Sequence, residues 1–259
     1  MKNTFDMNKA ELMQRSSEQM KVHLDDGNYT PEQKLALTCR ILFENGQDSG
    51  LAGQITSRGQ APNTYYTQRL GLGFDEISAG NLLLVDEDLN VLRGTGMPNP
   101  ANRFHSWVYR ARPDVQCIIH THAIYTSALS MLEVPLDVAH MDSCVLYGDV
   151  AFAPNWPGVP VGNEEGEFIS RALGDKQALL LAHHGLFIAA RSVEEACVLA
   201  LAFERAARMQ LLAMSAGQIR PIEPALGHEA REWIRGPKRS SSVFTYYARR
   251  ALRQHPDCL

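Results

Sequence analysis

The chain contains no run of about 18 consecutive apolar residues, so no segment reads as a transmembrane helix. Its first twenty residues carry Lys, Asp and Glu and lack the apolar centre of a signal peptide. Five cysteines, Cys39, Cys117, Cys144, Cys197 and Cys258, are scattered singly. Their odd number and the absence of any C-x-x-C pair argue against a disulfide framework and for reduced thiols in a cytoplasmic protein. No charge of one sign dominates: 25 Lys and Arg against 29 Asp and Glu leave a net charge of −4. That balance predicts neither nucleic acid nor an anionic membrane as partner. Internal repeats, low-complexity tracts and convincing linkers are also missing, which points to one domain with peripheral ends.

What is present suits a full hydrophobic core, with 45% hydrophobic and 21% charged residues in 259. Residues 1–29 read as a peripheral amphipathic helix, 30–217 as the domain proper, and 218–259 as a looser arm packing on the domain or on a neighbouring subunit. Thr30, Pro31 and Gln33 form the start of a helix that Asn45-Gly46 ends. Ser192 to Glu195 is a second capping box, opening a long helix that Gly217 stops. Gly50 to Arg58 is a glycine-rich turn entering a short strand, and 59–80 reads as irregular. A strand at 82–85 turns back at 91–93, and a helix spans 101–112. Val115 to Ile119 is an apolar strand ending at His120-Thr121-His122, followed by a helix at 124–132. Residues 149–161 read as a proline-rich loop and 164–173 as a helix. A further apolar strand, 178–182, is followed by His183-His184-Gly185 and then 186–189.

The histidines carry the functional signal. His120 and His122 are two apart, which places both rings on one face of an extended segment. A second histidine pair follows another apolar strand. If the two strands are neighbours, three imidazoles converge, the donor set of an open zinc, iron, manganese or cobalt site. The plainer alternative for H-x-H is two partly buried, hydrogen-bonded rings. Spacing alone leaves open which of His183 and His184 is the ligand. Gly185 lets the backbone pass close to the site.

The run RPDVQCIIHTHAIYTSALSM, Arg112 to Met131, resembles the zinc-binding segment of the class II aldolase/adducin family. LLLAHHGLFIAARSVEEA, Leu179 to Ala196, resembles its second segment, with His184 in the ligand position. Gly53 to Arg58 is similar to the family's substrate loop. This resemblance, over roughly residues 30 to 215, implies an α/β fold, a three-layer α/β/α sandwich around a mostly antiparallel sheet. It implies a divalent metal, usually Zn2+, on His120, His122 and His184, and a homo-oligomer, a tetramer by family habit. Trp107, Tyr109 and Trp156 are the apolar candidates for a subunit interface.

The departures from the family narrow the function. Sugar-phosphate aldolases carry P-S-S-E before the helix that leads to the first metal strand, with the Glu as acid/base. Here the stretch is Pro98-Asn99-Pro100-Ala101, so the Glu position is Ala101, which moves no proton. The two serines are Asn99 and Pro100, and a proline offers no N–H to a phosphate. Gln54 replaces the loop's Asn, and the phosphate turn has become Gln68-Arg69-Leu70-Gly71. The expected substrate is therefore a small non-phosphorylated oxo or hydroxy acid, held by Gln54, Ser57, Arg69 and Arg103. Arg suits a carboxylate through its bidentate fork. His140 and Asp142 are the candidate acid/base groups, Tyr246 and Tyr247 candidates to reach a neighbour's site, His105 a packing residue and Glu76 a turn residue.

The expected activity is a lyase using a metal-stabilised enolate, by decarboxylation or retro-aldol cleavage. Decarboxylation needs no initial base, which suits Ala101. An adducin-like binding module without catalysis and a non-haem iron oxygenase are the alternatives.

Overall fold

The structure, a computed structural model, describes residues 3–159, 161–236 and 238–259. Met1, Lys2, Pro160 and Pro237, which fall within the expected N-terminal segment, loop and arm, lie outside the described residues. Among the described residues, eight strands form one sheet: β1 (Gln54–Arg58), β2 (Thr64–Thr67), β3 (Leu83–Asp86), β4 (Val91–Arg93), β5 (Cys117–Thr121), β6 (Val150–Ala153), β7 (Ala178–Leu181) and β8 (Gly185–Ala190). Their order is β4-β3-β2-β1-β5-β8-β7-β6. The pairings are antiparallel apart from the parallel pair β6 and β7.

The helices are α1 (Lys9–His23), α2 (Pro31–Glu44), α3 (Arg103–Ala111), α4 (Ile124–Ser130), α5 (Asn163–Leu173), α6 (Val193–Ala216), α7 (Pro224–Ile234) and α8 (Arg239–Gln254). One face of the sheet packs Ile55, Ile119, Leu180, Leu186 and Ile188 against residues of α2, α6 and α8 such as Leu42, Phe203 and Phe244. The other face packs Tyr65, Ile118, Leu179 and Phe187 against Phe104, Val108, Ile169 and Leu173 of α3 and α5. The result is the three-layer α/β/α sandwich. Strands β5, β7 and β8 are covered on both faces, so they read as continuous apolar runs rather than alternating ones.

Local sequence explains the main helix starts. The Thr30 hydroxyl accepts from the Gln33 N–H at 3.3 Å, and the Gln33 side chain returns a bond to the Thr30 N–H at 2.9 Å. At α6 only half of the expected box forms. Ser192 accepts from the Glu195 N–H at 3.1 Å, but the Glu195 carboxylate reaches one residue further back, to the Arg191 N–H at 3.0 Å.

Three expectations are corrected. The stretch 59–80 contains β2, whose Thr-Tyr-Tyr-Thr sequence has strong strand character but only four residues. The loop expected at 149–161 begins with β6, hidden in sequence by the prolines that follow. The looser arm from 218 holds two helices, and α8 buries Phe244, Ala248 and Ala251 at helical spacing in the core. At the other end α1 buries no residue. No described helix is long and apolar enough to cross a membrane.

Candidate metal centre

The strand pairing is what assembles the histidines. Register places Gln54 of β1 and Phe187 of β8 on either side of His120 of β5. His184 immediately precedes β8, and His122 immediately follows β5. One coordinating atom from each of His120, His122 and His184 can be chosen so that all lie within 4.8 Å of one another. The ring centroids are 4.6 Å apart for His120 and His184, 4.8 Å for His120 and His122, and 4.9 Å for His122 and His184.

The backbone packs tightly enough here to require a glycine. A Cβ on Gly185 would sit 2.5 Å from the Thr121 carbonyl oxygen and 3.0 Å from Cδ2 of His122. Phe104 of α3 stands edge-on to His120 at 5.4 Å and walls off one side.

The electrostatics favour neutral rings. Burial, reinforced by the neighbouring His184 and His122, holds His120 well below the ordinary imidazole range. Burial and then His122 bring His184 down to about 4, and burial lowers His122. The Nδ1–H of His120 donates to the Leu186 carbonyl at 2.7 Å, which makes its Nε2 the unprotonated acceptor, 3.0 Å from Nε2 of His122. Three neutral imidazoles with one ring tautomer fixed by a carbonyl are a donor set for a divalent transition metal. The residues present therefore fit the implied metal.

The other expected site residues divide. Gln54 is buried beside His120, and its Oε1 has no hydrogen-bond partner among the described residues. Arg69 is exposed and lines a small cleft with Gly53, Gln68, Phe74 and Asn99. Gln68 closes the end of β1, accepting from the Ile55 N–H and donating to the Gly53 carbonyl, both at 2.8 Å.

Ser57 pairs with Cys117, three residues down β5 from His120, and strand alternation turns it to the opposite sheet face. Arg103 is engaged by Asp88 and the Glu87 carbonyl, each at 3.4 Å, at the β3–β4 turn. His140 caps the 3-10 turn Met141–Leu146, taking the Asp142 N–H on its Nδ1, while Asp142 pairs with Arg205 of α6 at 3.3 Å. None of these recorded contacts joins Ser57, Arg103, His140 or Asp142 to the triad. Tyr246 and Tyr247 lie on α8, which packs on α2 and α6 in the helix layer on the other side of the sheet. Glu76 accepts the Gly73 N–H at 2.9 Å in a turn.

Of the interface candidates, Tyr109 is internal and Trp107 is partly exposed. Tyr109 is buried against Tyr65, and Trp107 packs over Gly166 of α5 and donates to Asn163. Trp156 stays half exposed.

His105 is a packing residue as expected, buried against Phe104 and Phe187, and Thr56 is a buried partner that the sequence did not single out. Thr56 faces α3, with Oγ1 2.8 Å from Nδ1 of His105 and 2.9 Å from the Tyr109 hydroxyl. Burial pushes His105 down to about 3, and its Nε2 has no partner. Alternation from Gln54 was the available signal for Thr56.

Comparison with known proteins agrees with this geometry. Residues 33–211 match the family described as Class II Aldolase and Adducin N-terminal domain. The Meiotically up-regulated gene 14 protein of Schizosaccharomyces pombe is 30% identical over 204 residues, 76% of this chain and 79% of that protein. Two Streptomyces proteins are each 31% identical. The 4-hydroxy-3-prenylphenylpyruvate oxygenase/4-hydroxy-3-prenylbenzoate synthase of Streptomyces roseochromogenus is matched over 67% of this chain and 64% of its own length. Decarboxylase NovR of Streptomyces niveus is matched over 65% of this chain and 64% of its own length. Among solved structures, L-fuculose 1-phosphate aldolase from Glaciozyma antarctica superposes with a TM-score of 0.79 at 25% identity, covering 100% of this chain and 96% of that one. With the family matched over most of its length and the three histidines gathered at one end of the sheet, this chain belongs to the class II aldolase and adducin family.

Proposed function

We propose that this chain is a metal-dependent lyase that breaks a carbon–carbon bond in a small, non-phosphorylated oxo or hydroxy acid, with decarboxylation the favoured reaction. The observation that carries this reading is the convergence of the three imidazoles at a site whose usual acid/base position, by the family resemblance, is Ala101. A divalent cation on His120, His122 and His184, Zn2+ by family habit with Mn2+, Fe2+ and Co2+ open, would supply Lewis acidity toward adjacent substrate oxygens.

The chain's own groups do the rest. Gln54 offers an unpartnered buried oxygen to a substrate hydroxyl, because a buried acceptor without a donor is costly. Arg69, exposed and lining the small cleft beside Gly53 and Gln68, would meet the carboxylate. Phe104 and Phe187 keep water from the buried side of His120. Ala101, in the 3-10 turn Pro100–Asn102 that enters α3, can remove no proton, so the reaction begins without a base. Loss of carbon dioxide meets that condition: the bond to the carboxylate breaks, its electron pair passes into the enolate, and a proton taken from solvent at carbon completes the product. Ser57, Arg103, His140 and Asp142 take no part in this reading. Homo-oligomeric assembly, a tetramer, belongs to the same proposal.

A relative named as an oxygenase favours a second reading, oxygen chemistry on ferrous iron held by the same three rings. Metal analysis of the purified chain beside His184→Ala, followed by assays of carbon dioxide release and oxygen uptake with 2-oxo acids that carry a second carboxylate beta to the oxo group, separates the readings. A metal lost in the variant together with oxygen-independent carbon dioxide release supports the lyase. A chain that binds no added zinc, iron, manganese or cobalt overturns both enzymatic readings and favours an adducin-like binding module.

A further inference from the structure

Helix α4 touches both halves of the metal centre. Its first residue, Ile124, stands two positions after His122, and its own N-cap residue, Ala123, offers no side-chain cap. The cap comes from α6. The Glu204 carboxylate accepts from the Tyr125 N–H at 2.9 Å, the Thr126 N–H at 2.8 Å and the Thr126 hydroxyl at 2.7 Å. Three bonds from one anion to the start of a helix make a strong anchor, since the charge also meets the positive end of the helix dipole.

The other end of α4 holds the turn that bears His184. The His183 N–H donates to the carbonyl of Ser130, the last residue of α4, at 3.2 Å, and the His183 ring meets Glu133 at 2.7 Å. His183 and Glu133 both adopt left-handed backbone conformations, with φ of 55° and 53°. A non-glycine residue holds that conformation where surrounding contacts compensate for it. Two further links tie the region to the same rod. Gln210 of α6 accepts the Asp137 N–H at 2.7 Å and donates to the Pro135 carbonyl at 3.0 Å. Buried Gln47 accepts from the hydroxyl of Thr121, the residue between the two β5 histidines, at 3.1 Å and donates to the Ala200 carbonyl of α6 at 2.9 Å.

We propose that α4 is a strut setting the separation of His122 and His184, and that Glu204 is the positioning residue that anchors it. The proposal rests on the metal-centre reading above. Glu204 touches neither metal nor substrate in this scheme. It acts by holding the chain on which His122 is mounted, while the His183–Glu133 pair holds the chain carrying His184.

The test is the affinity of the full-length, metal-stripped chain for zinc, with the visible spectrum of the cobalt(II) form as a second readout. Glu204→Ala is expected to bind zinc roughly 10- to 100-fold more weakly than wild type and to show an altered cobalt spectrum while keeping its circular dichroism. Glu204→Gln, which keeps one acceptor oxygen, falls between the two. Glu133→Gln weakens zinc binding in the same direction through the other end of the strut. If Glu204→Ala does not fold, the two glutamine variants carry the test by the same criteria. Zinc affinity and cobalt spectra within twofold of wild type in the folded variants, with only the melting temperature lowered, overturn the strut. A wild-type chain that binds neither metal overturns the metal-centre reading itself, a different result from the previous one.

Discussion

His120 Nδ1 lies 2.7 Å from the carbonyl oxygen of Leu186, on the neighbouring strand β8. A carbonyl accepts and cannot donate, so this contact puts the proton on Nδ1 and the free lone pair on Nε2. The same bond ties the first proposed ligand, His120, to the strand that follows the third, His184, so the ring orientation is set by sheet register. His120→Asn should lower metal affinity by at least ~100-fold, because a ligand and its oriented support are both removed. Metal content after dialysis, with circular dichroism to confirm the fold, checks this.

Gly185→Ala is a test of close packing at the centre. The added Cβ would meet the Thr121 carbonyl at 2.5 Å, and backbone oxygen cannot move aside as a flexible side chain can. A cost of about 1–3 kcal/mol is expected. The His122 ring, 3.0 Å from the same Cβ, should shift as well, weakening zinc binding. Denaturant unfolding and zinc titration measure the two effects separately; a variant as stable as wild type would contradict the packing argument.

His105 gives stability a pH dependence of known sign. Its folded pKa of about 3, caused by burial, lies below the ordinary value of 6.5. The unfolded chain therefore takes up a proton first. The contribution is intact above pH 6.5 and is lost progressively as pH falls from 6.5 toward 3, reaching about 2 kcal/mol by pH 5. His120, His122 and His184 shift in the same direction and steepen the decline. His105→Gln should remove about one proton from the slope, ~1.4 kcal/mol per pH unit between pH 6 and 4. Urea unfolding at several pH values, wild type against variant, reads this directly, and equal slopes would refute it.

Phe244→Ala should destabilise the domain by about 3–5 kcal/mol, as expected for a fully buried aromatic ring whose removal leaves a cavity. Deleting the chain from residue 218 onward should be worse, since α8 covers α2 and α6 and Arg40 bonds to Asp257 beyond it at 2.9 Å. A truncated chain with wild-type melting behaviour would show the arm to be dispensable.

Much of the candidate site was legible because its parts are local in sequence. His120 and His122 share one short segment, and His184 is followed by the glycine that the close approach demands. Ala101 was equally visible, since the absence of a carboxylate is a fact about one position. Ser57 and Arg103 show where local reading stops. Ser57 follows Gln54 by three residues, an odd offset, and so faces the other side of the sheet. Arg103 stands next to Phe104 in sequence, but its guanidinium is held at the β3–β4 turn.

The amino-acid sequence by itself determined the apolar strands, the capped helices α2 and α6, the three candidate histidine donors and the absence of a carboxylate at position 101. These depend on periodicity, capping and side-chain chemistry within a few residues. The tertiary structure alone decided that Glu204 caps α4 across the fold, that α8 completes the core, and that Gln54 rather than Ser57 stands beside His120. Those depend on strand register and helix packing between segments far apart in the chain, where a shift of one residue exchanges the inner and outer faces of a strand.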